Sequence, residues 1–136
     1  MTTFMATQWD SAEQKQKFFQ QFQRFVLSDF KRTIFPKWFY RQLSMTFGHI
    51  AHFDQDGFYA TFFKSLSGKI HFLQQTVEWN MGGDPAYTYS DVERALKAWV
   101  LEVGLIRAYC AKQEAVIEQE ERATLSRLQA KYAEVR

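Results

Sequence analysis

The sequence predicts an all-α fold: a compact single-domain helical bundle of about four to five helices with a long C-terminal helix. Three observations carry that expectation. Apolar residues recur at spacings of three to five through most of the chain, the period of an amphipathic helix and not of a strand. Capping-box patterns precede the first and the last of these periodic stretches. Turn-forming clusters fall between stretches and not inside them. The 136 residues fit one domain of ~100–200, with residues 1–9 as an N-terminal arm and 112–136 as a charged helix that projects or oligomerises.

The arm carries no periodicity, although Phe4, Met5 and Trp9 could dock it. Asp10 and Ser11, followed three residues on by Glu13 and Gln14, mark the first helix start. Phe18, Phe22, Phe25, Val26 and Phe30 then form an aromatic stripe, and the helix is expected to end within Lys31–Phe35, ahead of Pro36. Pro36 suits the first turn of a second helix whose buried side is Phe39, Leu43, Phe47 and Ile50. The turn Asp54-Gln55-Asp56-Gly57 stops it. Phe58, Tyr59, Phe62 and Phe63 make a short aromatic helix, and Ser67-Gly68 restarts the chain into a helix with Ile70, Leu73 and Val77. Asn80–Pro85 is the strongest break. Ser90 and Glu93 read as a second capping box, from which a long helical pattern runs to the end; Gly104 can bend it without requiring a break, and the sequence leaves its continuity there open.

Aromatic residues make up 18% of the chain, and thirteen of its 14 phenylalanines lie between Phe18 and Phe72. The second half must therefore supply the surface that covers them. No apolar run approaches the ~18 residues of a membrane span, and the first residues lack the basic start and apolar core of a signal peptide. The lone Cys110 excludes an intramolecular disulfide framework and fits a reducing compartment, so a cytoplasmic location is expected. Cys110 itself reads as a small buried residue of the last helix. A net charge of +2 does not by itself point to nucleic acid.

Two clusters could carry chemistry. At about 100° per residue, Trp38, Arg41, Met45, His49 and His52 share a sector opposite the apolar side of the second helix. A purely solvated face has no need of tryptophan, methionine and two imidazoles, so this face is expected to contact something. The plainest contact is the chain's own arm or last helix; a bound macromolecule or small ligand is the alternative. His49 and His52 at i,i+3, with Asp54 and Asp56 in the following turn, could also hold a divalent transition metal. The spacing matches no strong zinc signature, and a calcium-loop reading fails because its twelfth position is Ser65. Otherwise no cofactor is expected.

The second cluster is the stretch 31–41, where Lys31, Arg32, Lys37 and Arg41 alternate with aromatics and no acid intervenes. Such residues can neutralise phosphates and stack on bases, but a helix junction with core aromatics and solvated cations explains the pattern as well. The Gly82-Gly83 loop lacks the Lys-Ser/Thr of a phosphate loop and reads as a connection.

Leu125, Leu128, Tyr132 and Val135 follow a 3-4-3 spacing, as in a coiled-coil seam, with Glu118 and Glu121 at the preceding seam positions. The seam spans little more than one heptad and could pair with a second copy. Together these features favour a small non-enzymatic intracellular binding or regulatory protein acting through protein–protein contacts, of a size that suits an accessory or inhibitor protein of a mobile element. Another protein is the expected partner, with a homo-oligomer through the seam; nucleic acid is not favoured, and no membrane association is expected. A metal-dependent enzyme using His49, His52, Asp54 and Asp56 is the competing reading.

Overall fold

A computed structural model describes residues 4–47, 54–78 and 83–134. Six α-helices occur among them: α1 (Ala12–Leu27), α2 (Lys37–Thr46), α3 (Gln55–Phe62), α4 (Leu66–Glu78), α5 (Ser90–Val103) and α6 (Leu105–Glu134). A single 3₁₀ turn, Arg32–Ile34, joins the first two. The fold is all-α with a long last helix, as the periodicity predicts, and it contains no strand among the described residues.

The first capping box forms as expected. Gln14 donates its backbone N–H to Ser11 Oγ (3.1 Å), and Ser11 donates its own to Gln14 Oε1 (2.6 Å). The end of α1 differs from expectation. The helix stops at Leu27 and not in 31–35, because Asp29 adopts the left-handed conformation (φ 64°). Phe30 N–H then reaches back to Phe25 O and Asp29 N–H to Val26 O, the paired bonds of a Schellman motif with aspartate where glycine is usual. Phe30 is left-handed as well, at φ 60°, a costly state for a bulky residue. What holds it there is the core: Phe30 stacks on Phe63 at 5.0 Å and meets Phe25 edge-on at 5.3 Å.

The phenylalanines form one cluster. Phe25 is its hub, edge-on to Phe30, Phe35, Phe39 and Phe63 with centroids 4.9–5.5 Å apart, the geometry that aromatic quadrupoles favour. Helices α1, α2 and α3 supply most of these rings. The second half covers them, through Val92, Leu96 and Val100 of α5 and Leu105 and Tyr109 of α6. The arm is docked too, with Phe4 buried against Phe19 at 5.5 Å.

Three boundaries need correction. The 54–57 turn does not end α2, which stops at Thr46 with Phe47 as its C-cap; Asp54 instead N-caps α3, accepting from Gly57 N–H, so Asp56 and Gly57 are already helical. Ser90 does not cap α5, because Tyr89 occupies the cap position and Ser90 Oγ instead donates to Gly83 O at 2.8 Å. The last helix is two helices. Gly104 sits at φ 72°, a left-handed state that ends α5 before α6 begins at Leu105. Ile50 of the expected apolar face of the second helix lies outside the described residues.

Candidate functional site

The strongest polar construction is one that sequence reasoning missed. Lys15 is fully buried, and its ammonium donates to Pro85 O (2.9 Å), Thr88 O (2.8 Å) and Asp91 Oδ1 (2.9 Å). All three of its N–H bonds are thereby used. Asp91 accepts from Met5 N–H through its other oxygen, Oδ2, at 2.9 Å. One ion pair therefore ties α1, the turn before α5 and the N-terminal arm together. The signal was present in the spacing: Lys15, Phe18, Phe22 and Phe25 follow the same 3-4-3 stripe, so the lysine lies on the buried face.

This clamp builds a cavity of about 180 Å³ beside it. The arm and the residue after it contribute Trp9 and Asp10, α2 contributes Met45, the turn into α5 contributes Tyr87 and Tyr89, and α5 itself contributes Glu93. Its rim is apolar yet open, with Trp9 73%, Tyr87 67% and Met45 56% exposed. Its wall is polar. Glu93 is buried, and so is the Tyr89 hydroxyl, beside the Asp10 carboxylate. Burial first, then the Asp10 and Asp91 carboxylates, push the pKa of Tyr89 well above its ordinary value, so the phenol stays neutral.

The expected contact face of the second helix is divided. Met45 joins the cavity rim. Trp38 is half-buried, edge-on to Phe39, with the Lys17 ammonium 4.6 Å from its ring centroid; α1 of the same chain supplies that contact. Arg41 is exposed. His49 and His52 lie outside the described residues. The aspartates read as their metal partners have other roles: Asp54 caps α3, and Asp56 pairs with Arg32 Nη2 at 2.9 Å. Among the described residues no group of three or more His, Cys, Asp or Glu side chains could hold a metal ion.

The basic segment is also divided. Arg32 pairs with Asp56, donates to Phe35 O at 3.1 Å, and lies over the Tyr59 ring at 5.5 Å. It acts as a staple between the 3₁₀ turn and α3. Lys31 and Lys37 are exposed, as is Arg41, which leaves a sparser positive surface than the composition implies.

The last helix separates into a root and a projection. Tyr109 donates its hydroxyl to Asp29 Oδ1 at 2.7 Å, and Gln113 donates to Ser67 Oγ at 2.8 Å. Beyond Gln113, residues 114–133 are all exposed. Leu125, Leu128 and Tyr132 of the expected seam are among them, joined by Val116 and Ile117; Val135 lies outside the described residues. No described helix is long and apolar enough to cross a membrane. Comparison with protein-family models, with curated proteins and with solved structures gives no match.

Proposed function

We propose that this chain is a small non-enzymatic binding protein of regulatory or accessory type, which takes a basic side chain of a partner protein into the cavity rimmed by Trp9, Met45 and Tyr87. The observation that carries this reading is the cavity itself, in which the Asp10 carboxylate stands beside the buried Tyr89 phenol under a rim of exposed Trp9, Tyr87 and Met45. The carboxyl group of Asp10 selects for positive charge. Tryptophan and tyrosine on the rim attract a guanidinium or ammonium through their ring faces and are the residue types that anchor protein interfaces. A volume near 180 Å³ falls below the ~300–1,000 Å³ of typical small-molecule sites and suits one inserted side chain.

The test is a titration of the full-length protein with N-acetyl-arginine amide, followed by nuclear magnetic resonance at the Trp9 indole. Saturable movement of that signal is expected in the native protein and is expected to vanish in Asp10→Lys. An indole indifferent to the amide, or one that responds equally in Asp10→Lys, would overturn the reading.

A further inference from the structure

The projection of α6 has a charge order that a lone helix does not explain. Residues 114–121 carry Glu114, Glu118, Glu120 and Glu121 and no base, whereas 122–133 carry Arg122, Arg127 and Lys131 and no acid. The helix dipole does not account for this, since it acts within the first and last turns and the acids begin nine residues after Leu105. Within one chain the arrangement is partly unfavourable. Glu118 pairs with Arg122, but Glu114 and Glu118, and likewise Arg127 and Lys131, are like charges at i,i+4.

Two of the exposed apolar residues of this segment, Ile117 and Leu128, share one face with Glu121 and Thr124. Ile117, Glu121, Thr124 and Leu128 are spaced 4-3-4 along one face, the rhythm of a coiled-coil seam. Ile117, Thr124 and Leu128 line one shallow groove on that face, and Leu128 and Tyr132 continue it.

We infer that residues 114–131 of α6 pair antiparallel with the same segment of a second copy of this chain. One register satisfies both patterns. With a two-fold axis between residues 122 and 123, Ile117 meets Leu128 of the second copy, Glu114 meets its Lys131, and Glu121 meets its Thr124. Glu120 and Arg127 lie on the flanking position that faces its own equivalent across an antiparallel seam, so each Glu120 pairs with the opposite Arg127. A parallel, in-register pair would set the four glutamates beside the same four. The polar Glu121–Thr124 contact at the centre fixes the register at a cost in affinity, as buried polar residues do in other coiled coils. This pairing uses a different face from the Trp9 cavity and does not depend on it.

The experiment is sedimentation equilibrium of the full-length chain from low-micromolar to near-millimolar concentration, with the single variants Glu120→Lys and Arg127→Glu and their equimolar mixture. The native protein is expected to rise from its monomer mass of 16.1 kDa toward twice that value, less so at high salt. Each variant alone places like charges across the seam twice and should associate roughly tenfold more weakly. The mixture restores both pairs in a heterodimer and should regain native association. A native protein that stays monomeric throughout, or a mixture that associates no better than either variant alone, would overturn the inference. The arginine-amide titration at Trp9 reads independently of either outcome.

Discussion

Two carboxylates hold elements together here, and their exposure sets what each contributes. Lys15 has no route to water, whereas the Asp91 side chain is 15% exposed. Removing the carboxylate should therefore be worse than removing the ammonium. Asp91→Ala leaves a buried charge with only two carbonyl partners and also frees the arm at Met5; about 3–5 kcal/mol of stability should be lost. Lys15→Met keeps the volume and lets Asp91 hydrate, at an expected cost of ~1–3 kcal/mol. Urea midpoints of the two variants check the order, and equal losses would contradict it. Asp29 behaves differently. Burial acts to raise its pKa, but the Tyr109 hydroxyl and the Lys69 ammonium outweigh it and hold the carboxyl below its ordinary 3.8. A depressed folded pKa stabilises the protein above the unfolded value, and that contribution fades as pH falls through the folded one. Tyr109 itself is raised, by burial first and then by Asp29, so it remains a donor throughout. Tyr109→Phe should cost ~0.5–1 kcal/mol at neutral pH, discounted for the exposure of Asp29. The gap from the native protein should close as pH drops below about 4. A gap of the same size in strong acid would show that Asp29 is not its source.

Element boundaries depend on single backbone positions, and two glycines separate the causes. A Cβ at Gly68 would stand 2.8 Å from both Thr61 O and Phe62 O, the backbone of α3 against which α4 begins. At Gly104 a Cβ would meet nothing within 4 Å, leaving only the left-handed φ as an obstacle. Alanine normally gains ~0.5–1 kcal/mol over glycine inside a helix, so the sign at Gly68 reports the clash. Gly68→Ala should destabilise by about 1–3 kcal/mol and Gly104→Ala by about 1–2, read as shifts in thermal midpoint. A stabilising Gly68→Ala would show that α3 and α4 can move apart freely. The same positions explain what the sequence does and does not reveal. The Phe18–Phe22–Phe25 stripe and the Ser11–Gln14 box are local patterns, and both are legible. The stop at Asp29 is not, because aspartate and phenylalanine become left-handed only when a distant partner such as Phe63 secures the second ring. Gly104 is ambiguous for the opposite reason: glycine permits either a continuous helix or a break, and burial of Val100 and Leu105 on one core selects the break. At the cavity, Met45 is legible as part of a contact face. Trp9, Tyr87 and Tyr89 are not, because loop residues carry no period and only the Lys15–Asp91 pair brings the arm to the turn.

As a whole, the molecule divides into a phenylalanine-filled body and a helical projection whose stability has a different origin. From residue 114 to 133 no side chain is buried, so intrahelical bonds alone support about 20 residues over roughly 30 Å. A solitary helix of that length is marginal in water, whereas the rings around Phe25 open only with the body itself. Native-state hydrogen exchange should therefore show two regimes. Amides of α1 and α4 should be protected by the full unfolding free energy, whatever the protein concentration. Amides between Ile117 and Leu128 should exchange nearly unprotected in dilute solution and slow progressively as concentration rises, because association removes the open helix by mass action. The Glu120→Lys protein should need roughly tenfold higher concentration for the same slowing, while leaving α1 and α4 unchanged. Strong protection of that segment in dilute solution, insensitive to concentration, would mean that the projection is held by the body and that the charge order along it has another cause.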